Sequence, residues 1–128
     1  MVVNTILAVE DNPTAMKLIE ATVNARAKNK VRLLHAPSIK EAMSLFKSHG
    51  HGIDVILMDG EVPSGDGTEP EKTLDLVQWM LEQKNSLHII AMPTVPDLAK
   101  KLIKAGCKEA ADDKGNAVYR ALQFLGII

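Results

Sequence analysis

Short apolar runs alternate with helix-periodic stretches from one end of the sequence to the other, and that alternation leaves the chain few architectures. "TILAVE" (5–10) is followed by Asn12 and Pro13, a cap residue and a proline suited to a first helical turn, then by Ala15, Ile19, Thr22 and Val23 on one helical face. "VRLLHA" (31–36) precedes Ser38 and Glu41, a capping box ahead of Ile39, Ala42, Met43 and Phe46 at helix spacing. "IDVILM" (53–58) is the third run, and after a loop Leu74, Val77 and Leu81 mark a helix to about residue 84. "LHIIAM" (87–92) is the fourth, followed by a short helix over 97–105 that ends at Gly106. "CKEAAD" predicts a weaker fifth strand, and Gly115 and Asn116 open a last helix carrying Val118, Leu122 and Leu125. Five β-then-α units with right-handed crossovers predict an α/β fold: a doubly wound, five-stranded parallel sheet with five helices.

The 128 residues, 46% hydrophobic, are a single-domain length that buries a core without disulfide or metal support, so 1–128 reads as one domain. "PSGDGTEPEK" (63–72) is expected as a loop inside it. Fifteen basic and sixteen acidic residues leave a net charge of -1, and aromatic residues make up only 3%. Neither a general electrostatic pull toward nucleic acid or anionic lipid nor a base-stacking surface is expected. The N-terminus meets acids after a short apolar run, which predicts neither a leader nor a membrane anchor. Cys107 has no partner for an internal disulfide and reads as a small core filler in a reducing compartment, the cytoplasm.

The chemistry concentrates where apolar runs end in acids. The first strand ends in Glu10 and Asp11, and "VILMDGEVPSGDG" (55–67) drives a buried strand straight into Asp59. Parallel strands covered on both faces read as continuous apolar runs, and ligands in such sheets sit beyond their carboxyl ends. In the doubly wound order 2-1-3-4-5 the first and third strands are neighbours, so the three carboxylates converge. Like charges raise one another's pKa, and a hard divalent cation with few carboxylates and several waters, Mg²⁺, relieves them. A carboxylate beside such an ion is able to accept a phosphoryl group. The competing reading makes each acid an ordinary helix cap, Asp11 above all, but three on adjacent strand ends favour a site.

"ILAVEDN" with "DVILMDGEVPSGDG" resembles the receiver domain of bacterial response regulators, the CheY-like superfamily, whose pattern is an acidic pair after strand one and D-x-x-M-P-x-x-D-G after strand three. Asp59, Pro63, Asp66 and Gly67 fall in register, with Val62 in the methionine position. "KAGCKEAAD" matches the family layout after helix four, so the resemblance covers the whole chain. It implies the flavodoxin-like order 2-1-3-4-5, Asp59 as phosphoryl acceptor, Asp11 as a direct Mg²⁺ ligand, Glu10 acting through a metal-bound water, and the Glu61 backbone carbonyl completing the coordination. It also implies a stand-alone receiver in a two-component phosphorelay, rather than an enzyme with turnover beyond self-dephosphorylation. Its phosphoryl group would come from a sensor histidine kinase or a histidine phosphotransfer domain and its signal would pass to a downstream protein target, with no nucleic acid or membrane partner.

Three positions depart from that pattern. The hydroxyl expected at the end of strand four falls on Pro93, with Thr94 one residue late. The lysine expected at the end of strand five falls on Asp113, with Lys114 next, and an inward aspartate would repel a phosphoryl group. The readout aromatic falls on Ala110. An undistorted strand turns Thr94 and Lys114 away from the site; a one-residue slip makes them the switch hydroxyl and the phosphoryl contact. The alternative is therefore a degenerate receiver used as a phosphorylation-independent docking module. An aspartate-nucleophile phosphatase ranks lower, because haloacid-dehalogenase-like hydrolases carry their D-x-D motif on the first strand and need a cap.

Other polar residues read as structural. "HGHG" (49–52) lies where a loop or helix C-cap is expected and makes a poor Zn²⁺ site. His35 and His88 are expected as satisfied edge residues, Trp79 as helix-face packing, and Tyr119 as a packing residue with its hydroxyl in water.

Overall fold

The computed structural model describes residues 3–92 and 95–128. Its main sheet contains β1 (Asn4–Val9), β2 (Val31–Ala36), β3 (Val55–Asp59), β6 (His88–Met92) and β7 (Glu109–Ala110). All pairings in it are parallel, in the order β2-β1-β3-β6-β7. The helices are α1 (Pro13–Ala27), α2 (Ile39–His49), α3 (Leu74–Gln83), α4 (Pro96–Ala105) and α5 (Lys114–Phe124). The doubly wound α/β fold is thus as expected. Helix starts follow their signals: the Asn12 side chain accepts the Ala15 N–H at 3.0 Å, and Ser38 accepts that of Glu41 at 3.1 Å. The Asn12 cap also removes the alternative in which Asp11 caps α1.

The strands read as continuous apolar runs because both faces are covered. Ile6, Ala8, Val55, Leu57, Ile90 and Met92 point to α1 and α5, where Ile19, Val23, Val118 and Leu122 meet them. Leu7, Val9, Ile56, Met58, Ile89 and Ala91 point the other way, onto α2, α3 and α4 through Phe46, Met80 and Leu102. Full burial of such an aliphatic side chain contributes about 1.5–3 kcal/mol. The buried stripe of α1 is Met16, Ile19, Val23 and Ala27, so Ala15 and Thr22 lie at its margin rather than its centre. The stretch 63–72 is not wholly loop: β4 (Glu61–Pro63) and β5 (Pro70–Lys72) pair antiparallel as a small hairpin beyond the main sheet. Its pairing partners are Glu, Val, Pro and Lys rather than an alternating apolar pattern, which hid it from periodicity.

No helix among the described residues is long and apolar enough to cross a membrane. Cys107 is buried, and burial pushes its thiol up to about 12. Gly106 takes φ 128°, and a Cβ there would collide with Leu81 of α3. Gly106→Ala is therefore expected to cost roughly 1–3 kcal/mol in urea denaturation, from left-handed strain and overpacking together; an unchanged midpoint would contradict this packing. Cys107 is expected to resist a thiol-specific reagent at pH 8 until the chain unfolds, and stoichiometric labelling of the folded protein would contradict its burial.

Candidate functional site

Residue parity carries Glu10 and Asp59 to one side of the sheet. Glu10 follows Ile6 and Ala8, and Asp59 follows Val55 and Leu57, so both carboxylates emerge on the α1/α5 face just beyond the strand ends. Glu10 is 1% exposed and Asp59 7%. With Asp11, which is exposed, each offers a carboxylate oxygen within 4.8 Å of the others. Opposite ligands of an octahedral Mg²⁺ lie about 4.2 Å apart at 2.1 Å per bond. The triad is therefore of a size for one ion, with or without an intervening water.

Among the described residues Lys114 is the cation paired with this cluster. Its Nζ lies 2.7 Å from Glu10 Oε1, 3.5 Å from Asp59 Oδ1 and 3.4 Å from the Met92 carbonyl oxygen, so it touches the ends of β1, β3 and β6. The expectation that Asp113 occupies the inward position is corrected. Asp113 is exposed and caps α5, accepting the Asn116 N–H at 2.7 Å. The strand-alternation argument fails there because β7 ends at Ala110, and Lys114 reaches the cluster from the first turn of a helix. Ala110 is exposed in β7, so no aromatic stands at that position. Pro93 and Thr94 lie outside the described residues. Glu61 opens β4 with an exposed side chain.

One lysine does not balance three carboxylates. Burial pushes the Asp59 carboxyl up to about 7; Lys114 opposes the rise, the charge and hydrogen bond of Glu10 add to it, and the Gly60 N–H opposes it. Glu10 Oε2 accepts the Asn12 N–H at 3.1 Å, whereas Oε1 is buried and meets Lys114 outside hydrogen-bonding geometry. The three carboxylates form an all-oxygen donor set, which fits a hard divalent cation.

Three contacts support the site, and of these the sequence anticipates only that of His35. Thr73 is fully buried, and its hydroxyl donates to the Asp59 carbonyl at 2.7 Å while its N–H donates to the Gly60 carbonyl at 3.0 Å. It sits before α3 like a cap but reaches back to the strand end instead. The His35 Nε2–H donates to the Glu10 carbonyl at 2.6 Å, which makes His35 a satisfied edge residue. Gly60 is required by space, since a Cβ there would strike Leu98 of α4. In the following loop Gly65, at φ 110°, is the constrained glycine: its Cβ would lie 2.6 Å from that of Lys40, whereas Gly67 stands in open space. Asp66 pairs with Lys40 at 3.1 Å on the exposed rim, a contact of little energetic weight.

A carboxyl whose folded pKa is raised costs nothing below its unfolded value near 3.8 and progressively destabilises the fold as pH rises toward about 7. In metal-free buffer Asp59→Asn is therefore expected to match the wild type near pH 4 and to exceed its stability by roughly 2–4 kcal/mol at pH 8. Parallel stability profiles for the two proteins would contradict the raised pKa. Thr73→Val is expected to cost about 1–2 kcal/mol by leaving the Asp59 carbonyl without its buried donor, and an unchanged denaturation midpoint would show that the bond contributes nothing.

Comparison with known proteins agrees with this geometry. No curated protein matches the sequence. The fold is shared with solved structures. A response regulator receiver domain protein from Clostridium thermocellum is 20% identical over 98% of each chain, with TM-score 0.75. The isolated REC domain of RcsB from Salmonella enterica serovar Typhimurium is 14% identical over 98% of this chain and 89% of that one, with TM-score 0.74. A chain of the CheX-CheY-BeF3-Mg²⁺ complex from Borrelia burgdorferi is 17% identical over 95% of this chain and 89% of that one, with TM-score 0.75. The family model for the response regulator receiver domain matches residues 6–113, which span β1 to the cap of α5 and all three clustered carboxylates, and the chain belongs to that family.

Proposed function

We propose that Asp59 accepts the phosphoryl group, that Glu10, Asp11 and the Glu61 backbone carbonyl hold Mg²⁺ beside it, and that Lys114 pairs with the phosphoryl oxygens. The observation that carries this reading is the convergence of three carboxylates, the two buried ones both paired with the Lys114 amine. An Asp59 carboxylate oxygen attacks phosphorus as the P–N bond of a phosphohistidine breaks, and the departing imidazole nitrogen keeps the electron pair and takes a proton. Bound Mg²⁺ supplies the positive charge that lets a phosphoryl dianion approach a carboxylate. Lys114, already 3.5 Å from Asp59 Oδ1, stands where a transferred phosphoryl oxygen is within ion-pair reach. Thr73 fixes the main chain of the acceptor, and Gly60 lets α4 pack directly behind it.

The donor on this reading is a phosphohistidine on a sensor histidine kinase or a histidine phosphotransfer domain, and the output is a protein target that senses the added charge of about -1.5 to -2. The docking-module alternative rested on positions 93, 110 and 113: the exposed cap position of Asp113 removes its charge argument, Ala110 still offers no ring, and Pro93 lies outside the described residues. The phosphatase alternative does not fit a receiver domain, whose chemistry is phosphotransfer to its own aspartate.

Acetyl phosphate is expected to add one phosphoryl mass to the wild type only with Mg²⁺, and not to Asp59→Asn; an equal gain in that variant, or no gain by the wild type at any Mg²⁺ concentration, would overturn the assignment. At limiting Mg²⁺ the rate is expected to rise with pH through about 7, because the ionised carboxyl is the nucleophile, and saturating Mg²⁺ is expected to move that rise to lower pH. A pH-independent rate would contradict the role given to Asp59. Lys114→Ala is expected to slow the reaction roughly tenfold or more.

A further inference from the structure

At the end of the sheet opposite Asp59, two cavities meet across the short turn Gly50–Gly52. One, of about 370 Å³, lies between α2 and α3 and is lined by Phe46, Trp79, Lys47 and Lys84. The other, of about 280 Å³, reaches over the start of the sheet past Arg32 and His49. Lys47, Gly50 and His51 border both, so the two adjoin as a cleft, the first part of which alone is of the size that holds a small-molecule ligand. β3 runs away from it toward Asp59 for five residues, on the order of 17 Å at about 3.4 Å per residue.

Charge in this cleft differs from that of the chain as a whole. Three permanent cations, Arg32, Lys47 and Lys84, line it together with His49 and His51, and none of its described lining residues is acidic. No carboxylate among the described residues pairs with any of the three cations. The neighbouring Asp54 is turned onto the Thr5 N–H at 2.8 Å. Lys84 donates to the Ile53 carbonyl at 3.3 Å, which keeps its charge without neutralising it. The first cavity has an aromatic wall: Phe46 and Trp79 pack edge to face, 5.6 Å between centroids at 65°, and Lys47 Nζ lies 5.9 Å from the Trp79 ring centroid. The partly exposed Trp79 ring, with Lys47 and Lys84 beside it and Arg32 beyond them, is complementary to a planar ring that carries phosphate.

We propose that this cleft binds a nucleotide, with the base laid against Trp79 and the phosphates over Lys47, His51 and Arg32. The site is independent of the acidic cluster and shares no residue with it. An isolated phosphate would use only the cations and a nucleoside only the aromatic wall, so neither fragment accounts for the whole lining.

The test is titration of the full chain with ADP in metal-free buffer, followed by the fluorescence of Trp79, the sole tryptophan of the chain, and by calorimetry. ADP is expected to bind saturably below about 1 mM, and adenosine and inorganic phosphate each at least about tenfold more weakly. Lys47→Glu and Arg32→Glu, both at exposed positions, are each expected to weaken ADP about tenfold or more while circular dichroism stays unchanged. Absence of saturable binding up to about 10 mM would overturn the proposal. So would inorganic phosphate binding as tightly as ADP, or both folded charge-reversal variants binding ADP like the wild type.

Discussion

The site depends on an uncompensated charge: three carboxylates gathered at two neighbouring strand ends, with one lysine amine between the two buried ones. The fold imposes the gathering. Parallel pairing sets Val9 beside Met58, so the residues that follow, Glu10 and Asp59, leave the sheet together and on the same face. α5 packs on that face, which is why its first residue rather than a strand residue supplies the amine. Burial raises the cost of leaving Asp59 ionised, and a bound divalent cation would relieve that cost.

Behind the acceptor, two close contacts tie the strand end to neighbouring helices. Ala110 has no ring to turn inward. Gly60, the residue after Asp59, lets the main chain pack directly against the Leu98 side chain of α4. Thr73 ties the same strand end to the start of α3. Both contacts join the Asp59–Gly60 backbone directly to a helix, with no intervening void.

Most of the architecture was legible because each signal had a single physical meaning. Apolar runs buried on both faces gave the parallel strands, Asn12–Pro13 and Ser38 gave helix starts, and Gly106 gave a helix end. The acids at 10, 11 and 59 were legible because parallel strands place their carboxyl ends together. Lys114 was harder: a count along an ideal strand put Asp113 inward, and only the early end of β7 and the capping of α5 by that aspartate reverse the two. Thr73 and the hairpin of β4 and β5 had no periodic signature, because one is a single long-range hydrogen bond and the other a pair of three-residue strands without an apolar face. The basic cleft was invisible for the same reason: Arg32, Lys47 and Lys84 are far apart in sequence, and "HGHG" alone read as a turn.

The most direct measurement is a carbon-detected NMR titration of the Asp59 carboxyl, with and without Mg²⁺. Without the ion its midpoint should lie near 7, and saturating Mg²⁺ should carry it well below. A midpoint at the ordinary carboxylate value in both conditions would mean that the three anions neither crowd one another nor share an ion.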